Sequence, residues 1–211
     1  MTTARANVAI QPDYAMIGDY VDLVFGYTEG HVAVRILEEG GGGVPWKEAY
    51  PADPSLASRL RAAATRASDA RRALYVVPVT TASRGSAKAE DLLETAVLPI
   101  DLDVGDIAAK RAQLVQWLGE PTLAVASGGS TDAGQRKLHL YWRLTEAARG
   151  DDLAVVAALR QELAEGRRRR VVRTAHTAHP RRRIAPLEDW RPDPRPGCRP
   201  LGSGDRPRRG G

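Results

Sequence analysis

Apolar residues occur in short runs, or alternate with polar residues, in six segments of the first 165 residues. Both patterns are typical of β-strands, which place successive side chains on opposite faces. The predicted strands cover residues 21–29, 31–39, 73–79, 95–104, 122–127 and 137–144. Residues 40–43 are all glycine and predict a flexible loop after the second strand.

Three other segments repeat apolar residues every three or four positions, which predicts helices over residues 55–73, 106–119 and 151–165. Asp53, followed by Pro54, is the predicted N-cap of the first helix. The inward residues predicted for the other two helices are Ile107, Leu114, Val115 and Leu118, and Leu153, Val156, Ala157 and Leu163. Residues 87–96 predict either a weak helix or a turn. This mixture predicts an α+β fold.

The charge of the chain is divided unevenly along its length. Residues 166–211 contain 14 Arg, no Lys and 4 acidic residues, while residues 1–165 contain 17 basic and 22 acidic residues. The overall charge of +5 therefore comes from the last segment, which also lacks apolar periodicity. We predict an α/β domain over 1–165 and a disordered basic tail over 166–211, which is either a solvated tail or a nucleic-acid-binding arm.

Several classes of protein are excluded by simple features of the sequence. Cys198 is the only cysteine, which rules out an internal disulfide framework and a multi-cysteine zinc site. The chain contains no run of the roughly 18 to 20 apolar residues that a membrane span needs, and it lacks a phosphate-binding loop of the ATPase type. We expect a cytoplasmic protein.

Two carboxylates share one face of the predicted strand 95–104. Asp101 and Asp103 alternate with apolar residues, so both side chains point away from the core. Carboxylate oxygens are the ligands that Mg²⁺ and Mn²⁺ prefer, and two of them can bind one ion or bridge a pair of ions. The alternatives are two solvated acids at a strand end, or a cap for the helix that begins near Asp106.

The strand 137–144 has a basic and polar row opposite its apolar row. Lys137 and His139 belong to the polar row and can donate hydrogen bonds to phosphate oxygens. The preceding turn contains Gly128 and Gly129, where backbone amides can approach an anion closely. The alternative is an ordinary hairpin loop followed by a surface histidine.

The two strands together support a more specific hypothesis. If both pack their apolar rows on the same helices, the acidic and basic rows open onto one uncovered face of the sheet. A metal site would then lie beside a triphosphate site, which is the arrangement that a nucleotidyltransferase needs. Trp46, Tyr50 and Tyr75 either stack on bases of a single strand or serve hydrophobic packing.

The sequence LPIDLD, followed by PTLAVASGG and KLHLYW, resembles the archaeo-eukaryotic primase superfamily, in particular the RepB-like primase and primase-polymerase domains of plasmids, phages and integrated elements. The resemblance spans roughly residues 74–165. It implies an RRM-like core with a mixed or antiparallel sheet and helices on one face. It also implies a DNA primase that uses nucleoside triphosphates and a single-stranded DNA template, with a helicase or ATPase module as a possible partner within the same element.

Carried over from this family, Asp101 and Asp103 are the ligands of Mg²⁺ or Mn²⁺, and Ser127 and His139 contact the nucleotide phosphates. We add Gly128, Gly129 and Lys137 to the predicted nucleotide-binding residues. The segment between Ser127 and His139 is longer than the Gly-rich loop of many members of the family.

Members of the family normally continue with a third acidic motif and a phrase like RVAGSxHxK, which this chain lacks. Read from the second nucleotide of each codon, residues 167–189 are compatible with codons for GGDGSFAQPTQPIRVAGSLHWKT. We therefore expect a shifted reading frame, a truncated primase domain and weak or no polymerase activity. The rival hypotheses are a replication-initiation module that binds DNA without chemistry, and an inactive remnant.

Overall fold

The computed structural model describes residues 12–38, 44–85 and 88–166; the glycine loop 40–43 and the predicted tail after Gly166 lie outside these residues. The described elements are four helices, six strands and one short 3-10 turn. In chain order they are α1 (Tyr14–Phe25), β1 (His31–Glu38), β2 (Trp46–Pro51), α2 (Leu56–Asp69), β3 (Arg72–Thr81), the 3-10 turn Ala89–Asp91, β4 (Leu92–Leu102), α3 (Ile107–Leu118), β5 (Leu123–Ser130), β6 (Arg136–Arg149) and α4 (Asp151–Ala164). The predicted α+β class is confirmed.

The six strands form one antiparallel sheet with the order β2-β1-β3-β4-β6-β5. Within the described residues, β3 and β4 pair only at Thr80 with Glu94 and at Thr81 with Leu92. β4 then continues to Leu102 paired with β6 alone. The sheet thus consists of two three-stranded halves, β2-β1-β3 and β4-β6-β5, joined at one end.

Helices cover both faces of this sheet, so the expectation of helices on one face was wrong. Val97 of β4 lies in a buried cluster with Val24 of α1 and Leu60 of α2. The next residue, Leu98, lies in a second cluster with Leu163 of α4 and with residues of α3. Because neighbouring strand residues point to opposite faces, α1 and α2 lie on one side and α3 and α4 on the other.

The physical reason for the error is the first helix, which the apolar pattern had indicated as a strand over 21–29. Ile17, Val21 and Val24 repeat at helical spacing and pack on the sheet, and Asp13 caps the helix by accepting a hydrogen bond from the amide of Met16 at 2.9 Å. A short apolar run fits either a strand or a buried helix segment. The longer repeat and the N-cap Asp13 identify this segment as a helix rather than a strand.

Other boundaries differ from the prediction in smaller ways. β2 was not predicted, because Lys47 and Glu48 interrupt its apolar pattern and its pairing with β1 defines it. The N-cap of α2 is Ser55, whose amide donates to Asp53 at 2.8 Å. Residues 89–91 form the 3-10 turn and β4 begins directly after it.

The inward residues of the last two helices agree with the prediction in part. Ile107 and Leu114 of α3 and Leu163 of α4 are buried, whereas Ala157 is exposed. Trp142 of β6 is fully enclosed beneath these helices and its indole donates to the carbonyl of Gly119 at 3.0 Å. In the part of the chain that the structure describes, no helix is both long and apolar enough to cross a membrane.

Candidate metal and phosphate site

Asp101 and His139 form a cross-strand pair between β4 and β6. Their side chains share the face that α1 and α2 partly cover, since Val97 and Tyr141 on the same rows lie in the cluster with those helices. Oδ1 of Asp101 is 3.9 Å from Nε2 of His139, and the two side chains are 41% and 29% exposed. The strand alternation thus places an acid and an imidazole side by side at the surface.

Arg160 of α4 is a second partner of Asp101, with Nη2 2.9 Å from Oδ2. The arginine comes from the helix layer on the other side of the sheet. It can reach Asp101 because β4 ends here and has no β3 partner at this level within the described residues. The sequence analysis missed Arg160, although its spacing from Val156 and Leu163 puts a lone cation on the apolar stripe of the helix.

Two tyrosines lie beside this pair and connect it to α1. The ring of Tyr20 packs edge-to-face on Tyr141, with centroids 5.6 Å apart. Burial raises the pKa of Tyr20 well above its ordinary value, and Tyr141 and the charge of Asp101 act in the same direction. Burial also raises the pKa of Tyr141. Both phenols therefore remain protonated, so neither supplies a general base at neutral pH.

A cavity of about 240 Å³, here called the first cavity, opens next to His139. Its lining includes Met16 of α1, Tyr75 of β3, Ser127 of β5 and His139 of β6. The two halves of the sheet therefore both contribute walls to it. Ser127, predicted from the family resemblance as a phosphate contact, lies in the same cavity as His139.

Asp103 lies just after β4, in a second cavity of about 440 Å³ whose lining also includes Lys137 and Asp132. Gln135 also lines this second cavity, and its side chain makes two hydrogen bonds to the segment after β4. Its side chain accepts a hydrogen bond from the amide of Ile107 at 2.6 Å and donates one to Asp106 at 3.1 Å. The loop after β4 is thereby fastened to the loop between β5 and β6.

Gly128 and Gly129 lie in β5, where the pairing with β6 shifts between Ala126 and Ser130. Gly128 has a φ of +83°, a backbone conformation that favours glycine. A Cβ on Gly129 would lie 3.1 Å from Cδ of Lys137. The absence of a side chain at Gly129 thus leaves room for the lysine stem beside the second cavity.

The carboxylates of Asp101 and Asp103 suit a hard divalent cation that takes only some of its ligands from the protein. Asp101 and Asp103 are both exposed carboxylates near the end of β4. Among the residues that the structure describes, no group of three or more His, Cys, Asp or Glu side chains could hold a metal ion. Mg²⁺ commonly uses one or two carboxylates and completes its shell with water and substrate phosphates. The two aspartates fit this mode, with Arg160 as a competitor for Asp101.

Comparisons of the chain with models of known families, with curated proteins and with solved structures found no match.

Proposed function

We propose that the chain is a primase-type nucleotidyltransferase domain, which transfers a nucleoside monophosphate from a triphosphate to a 3′-hydroxyl on a single-stranded DNA template. One observation supports this most directly. Asp101 pairs with His139 at the surface, His139 lines the first cavity together with Ser127, and Asp103 and Lys137 line the second cavity. This proximity of acidic groups to hydrogen-bond donors supports the proposal.

The roles follow from the chemistry of each group. Asp101 and Asp103 would hold Mg²⁺ or Mn²⁺, which when bound lowers the pKa of the attacking hydroxyl and stabilises negative charge on phosphate oxygens. His139, Ser127 and Lys137 would donate hydrogen bonds to the triphosphate. The second cavity, at about 440 Å³, has the size of common small-ligand sites, which run from about 300 to 1,000 Å³.

The test is primer synthesis and extension on single-stranded DNA with Mn²⁺. Asp101→Asn should lower product formation by roughly 100-fold or more, since it removes a charge that acts on the transition state. Asp69→Asn, at the exposed end of α2, is the matched control and should retain the wild-type rate. Because the reading frame is expected to shift after residue 166, the same variants are also made in a chain that carries the restored sequence over 167–189.

Two results would distinguish the alternatives. Metal-dependent product that is lost in Asp101→Asn supports the transferase. No metal-dependent product from either the given or the frame-restored chain, together with unchanged DNA binding, contradicts it and favours a replication-initiation module without chemistry.

A further inference from the structure

The β2-β1-β3 half of the sheet presents a row of three exposed side chains on its outer face. Arg35 of β1 pairs in register with Lys47 of β2 on one side and with Tyr75 of β3 on the other. Directly paired residues of antiparallel strands point to the same face. Lys47, Arg35 and Tyr75 therefore form a continuous row across three strands, which we call the outer row.

The outer row faces away from the helices that cover this half of the sheet. Val34 and Ile36, the neighbours of Arg35, are 1% and 0% exposed, and Val34 packs in the cluster with α1 and α2. Arg35 and Lys47 are exposed, and Tyr75 is 49% exposed. The helices α3 and α4 pack on β4 and β6 in the other half.

The charge on this outer face is entirely positive. The other residues that share it on the three strands carry no fixed charge, and they include Ala33, Leu37, Ala49 and Ala73, with His31, Pro51 and Thr81 at the far end. Within the described residues, neither Arg35 nor Lys47 has a salt-bridge partner. Two uncompensated cations on an otherwise neutral face attract a polyanion.

On the opposite face of the same strands, basic and aromatic side chains have partners within the protein. Arg66 is paired with Glu48 at 2.7 Å, and Arg72 is paired with Glu38. Trp46 is covered by the guanidinium of Arg72, 4.3 Å from the ring centroid. Cations and aromatic rings on that face are already matched within the chain, whereas those of the outer row are not.

We infer that the outer row binds single-stranded nucleic acid, with Tyr75 stacking on a base and Arg35 and Lys47 contacting backbone phosphates. Base stacking on an exposed aromatic ring beside a basic groove is the usual means of holding a single strand without sequence preference. The small side chains of Ala33, Ala49 and Ala73 leave the ring face accessible. A folded acidic protein would pair with Arg35 and Lys47 but would not stack on the ring of Tyr75.

The outer row also leads to the candidate site. Tyr75 lies on the part of β3 that is not paired with β4, and it lines the first cavity together with Ser127 and His139. Because α1 and α2 also line this cavity, a strand bound along the row would reach it only by passing the edge of β3 at Tyr75. Identifying that strand as the template rests on the proposed function, whereas binding itself needs no metal and no catalysis.

The test measures binding of a labelled single-stranded oligonucleotide by fluorescence anisotropy, with the whole chain and without metal or nucleotide. Tyr75→Ala should weaken binding about 5- to 150-fold, while Tyr75→Phe should keep it. Arg35→Ala should reduce the slope of log affinity against log salt by about 0.7. The basic tail is common to all variants and contributes equally to each.

Trp46→Ala and Arg66→Ala are the matched controls, because they remove an exposed ring and a cation from the other face of the same half. Both should bind like the wild type. The inference is overturned if folded Tyr75→Ala and Arg35→Ala bind normally, or if the controls lose as much affinity. If neither the given nor the frame-restored chain forms metal-dependent product while Tyr75→Ala and Arg35→Ala still weaken binding, the proposed function fails and this inference stands.

Discussion

Asp101 on β4 and His139 on β6 occupy directly opposed positions in the sheet, with Oδ1 of the carboxylate 3.9 Å from Nε2 of the imidazole. This separation is longer than a hydrogen bond. The other oxygen, Oδ2, is 2.9 Å from Arg160. A cation that binds Asp101 through both oxygens must therefore displace the arginine.

Arg160→Ala is expected to strengthen Mn²⁺ binding, because it removes this competition. The pair is half exposed and its interaction free energy should be below about 1 kcal/mol, so the expected gain in affinity is about 2- to 5-fold. Calorimetric titration with Mn²⁺ measures it. Arg111→Ala, which breaks a similarly exposed pair with Glu120, is the control and should leave the affinity unchanged. Weaker or unchanged binding in Arg160→Ala would exclude a metal ion held through both oxygens of Asp101.

The strand alternation predicted correctly on which face of each strand these two side chains lie. It indicated that Asp101 points to the face of β4 away from its apolar row, and that His139 points to the face of β6 away from Leu140. The structure adds the register that makes them neighbours, which depends on how β4 and β6 pair and on the bulge between Thr95 and Val97. Alternation within a strand carries no information about register between strands.

The sequence predicted this face to be uncovered, which was wrong, and it gave no indication that Arg160 contacts Asp101. The face is partly covered because α1, indicated as a strand, places Tyr20 on Tyr141. Arg160 reaches Asp101 only because the sheet divides between β3 and β4. Both features arise from packing between distant parts of the chain, which local periodicity does not report.

Glu94 is expected to be a major determinant of stability. Its side chain is completely buried on β4, where it accepts hydrogen bonds from the amide of Glu29 and from Arg149. Glu94→Ala leaves the part-buried amide of Glu29 without its acceptor, while Arg149 is 55% exposed and can be solvated, so the substitution should cost about 1 to 3 kcal/mol of unfolding free energy. Urea denaturation followed by circular dichroism measures the loss.

Glu120→Ala is the control for Glu94, since Glu120 is 58% exposed and pairs with Arg111 at the surface. Its expected cost is below about 1 kcal/mol. Equal losses in the two variants would show that the buried carboxylate contributes no more than a surface ion pair.

Gly30→Ala is expected to destabilise the start of β1. Gly30 has a φ of +89°, and an added Cβ would lie 2.6 Å from the carbonyl oxygen of Thr81. Backbone strain and this clash together should cost about 3 kcal/mol or more. Gly134→Ala is the matched comparison, because its φ is +76° but its Cβ would meet no atom within 4 Å. It should cost about 1 to 2 kcal/mol, and a cost as large as that of Gly30→Ala would argue against the clash.

Asp106 is expected to make stability depend on pH in the acidic range. Hydrogen bonds from the amide of Ala109 and from Gln135 lower the pKa of this N-cap carboxylate in the folded chain. Its contribution is therefore complete above the unfolded pKa, about 3.9, and is lost as the pH falls through the lower folded pKa. Asp106→Asn keeps a capping side chain without the charge, so its melting temperature should be below that of the wild type near neutral pH and converge with it in acid. Thermal melts of the wild type and of Asp106→Asn across this pH range measure the effect. Gln135→Ala, which removes one of the two hydrogen bonds to Asp106, is measured in the same way. A difference that stays constant with pH would mean that the charge on Asp106 contributes nothing to stability.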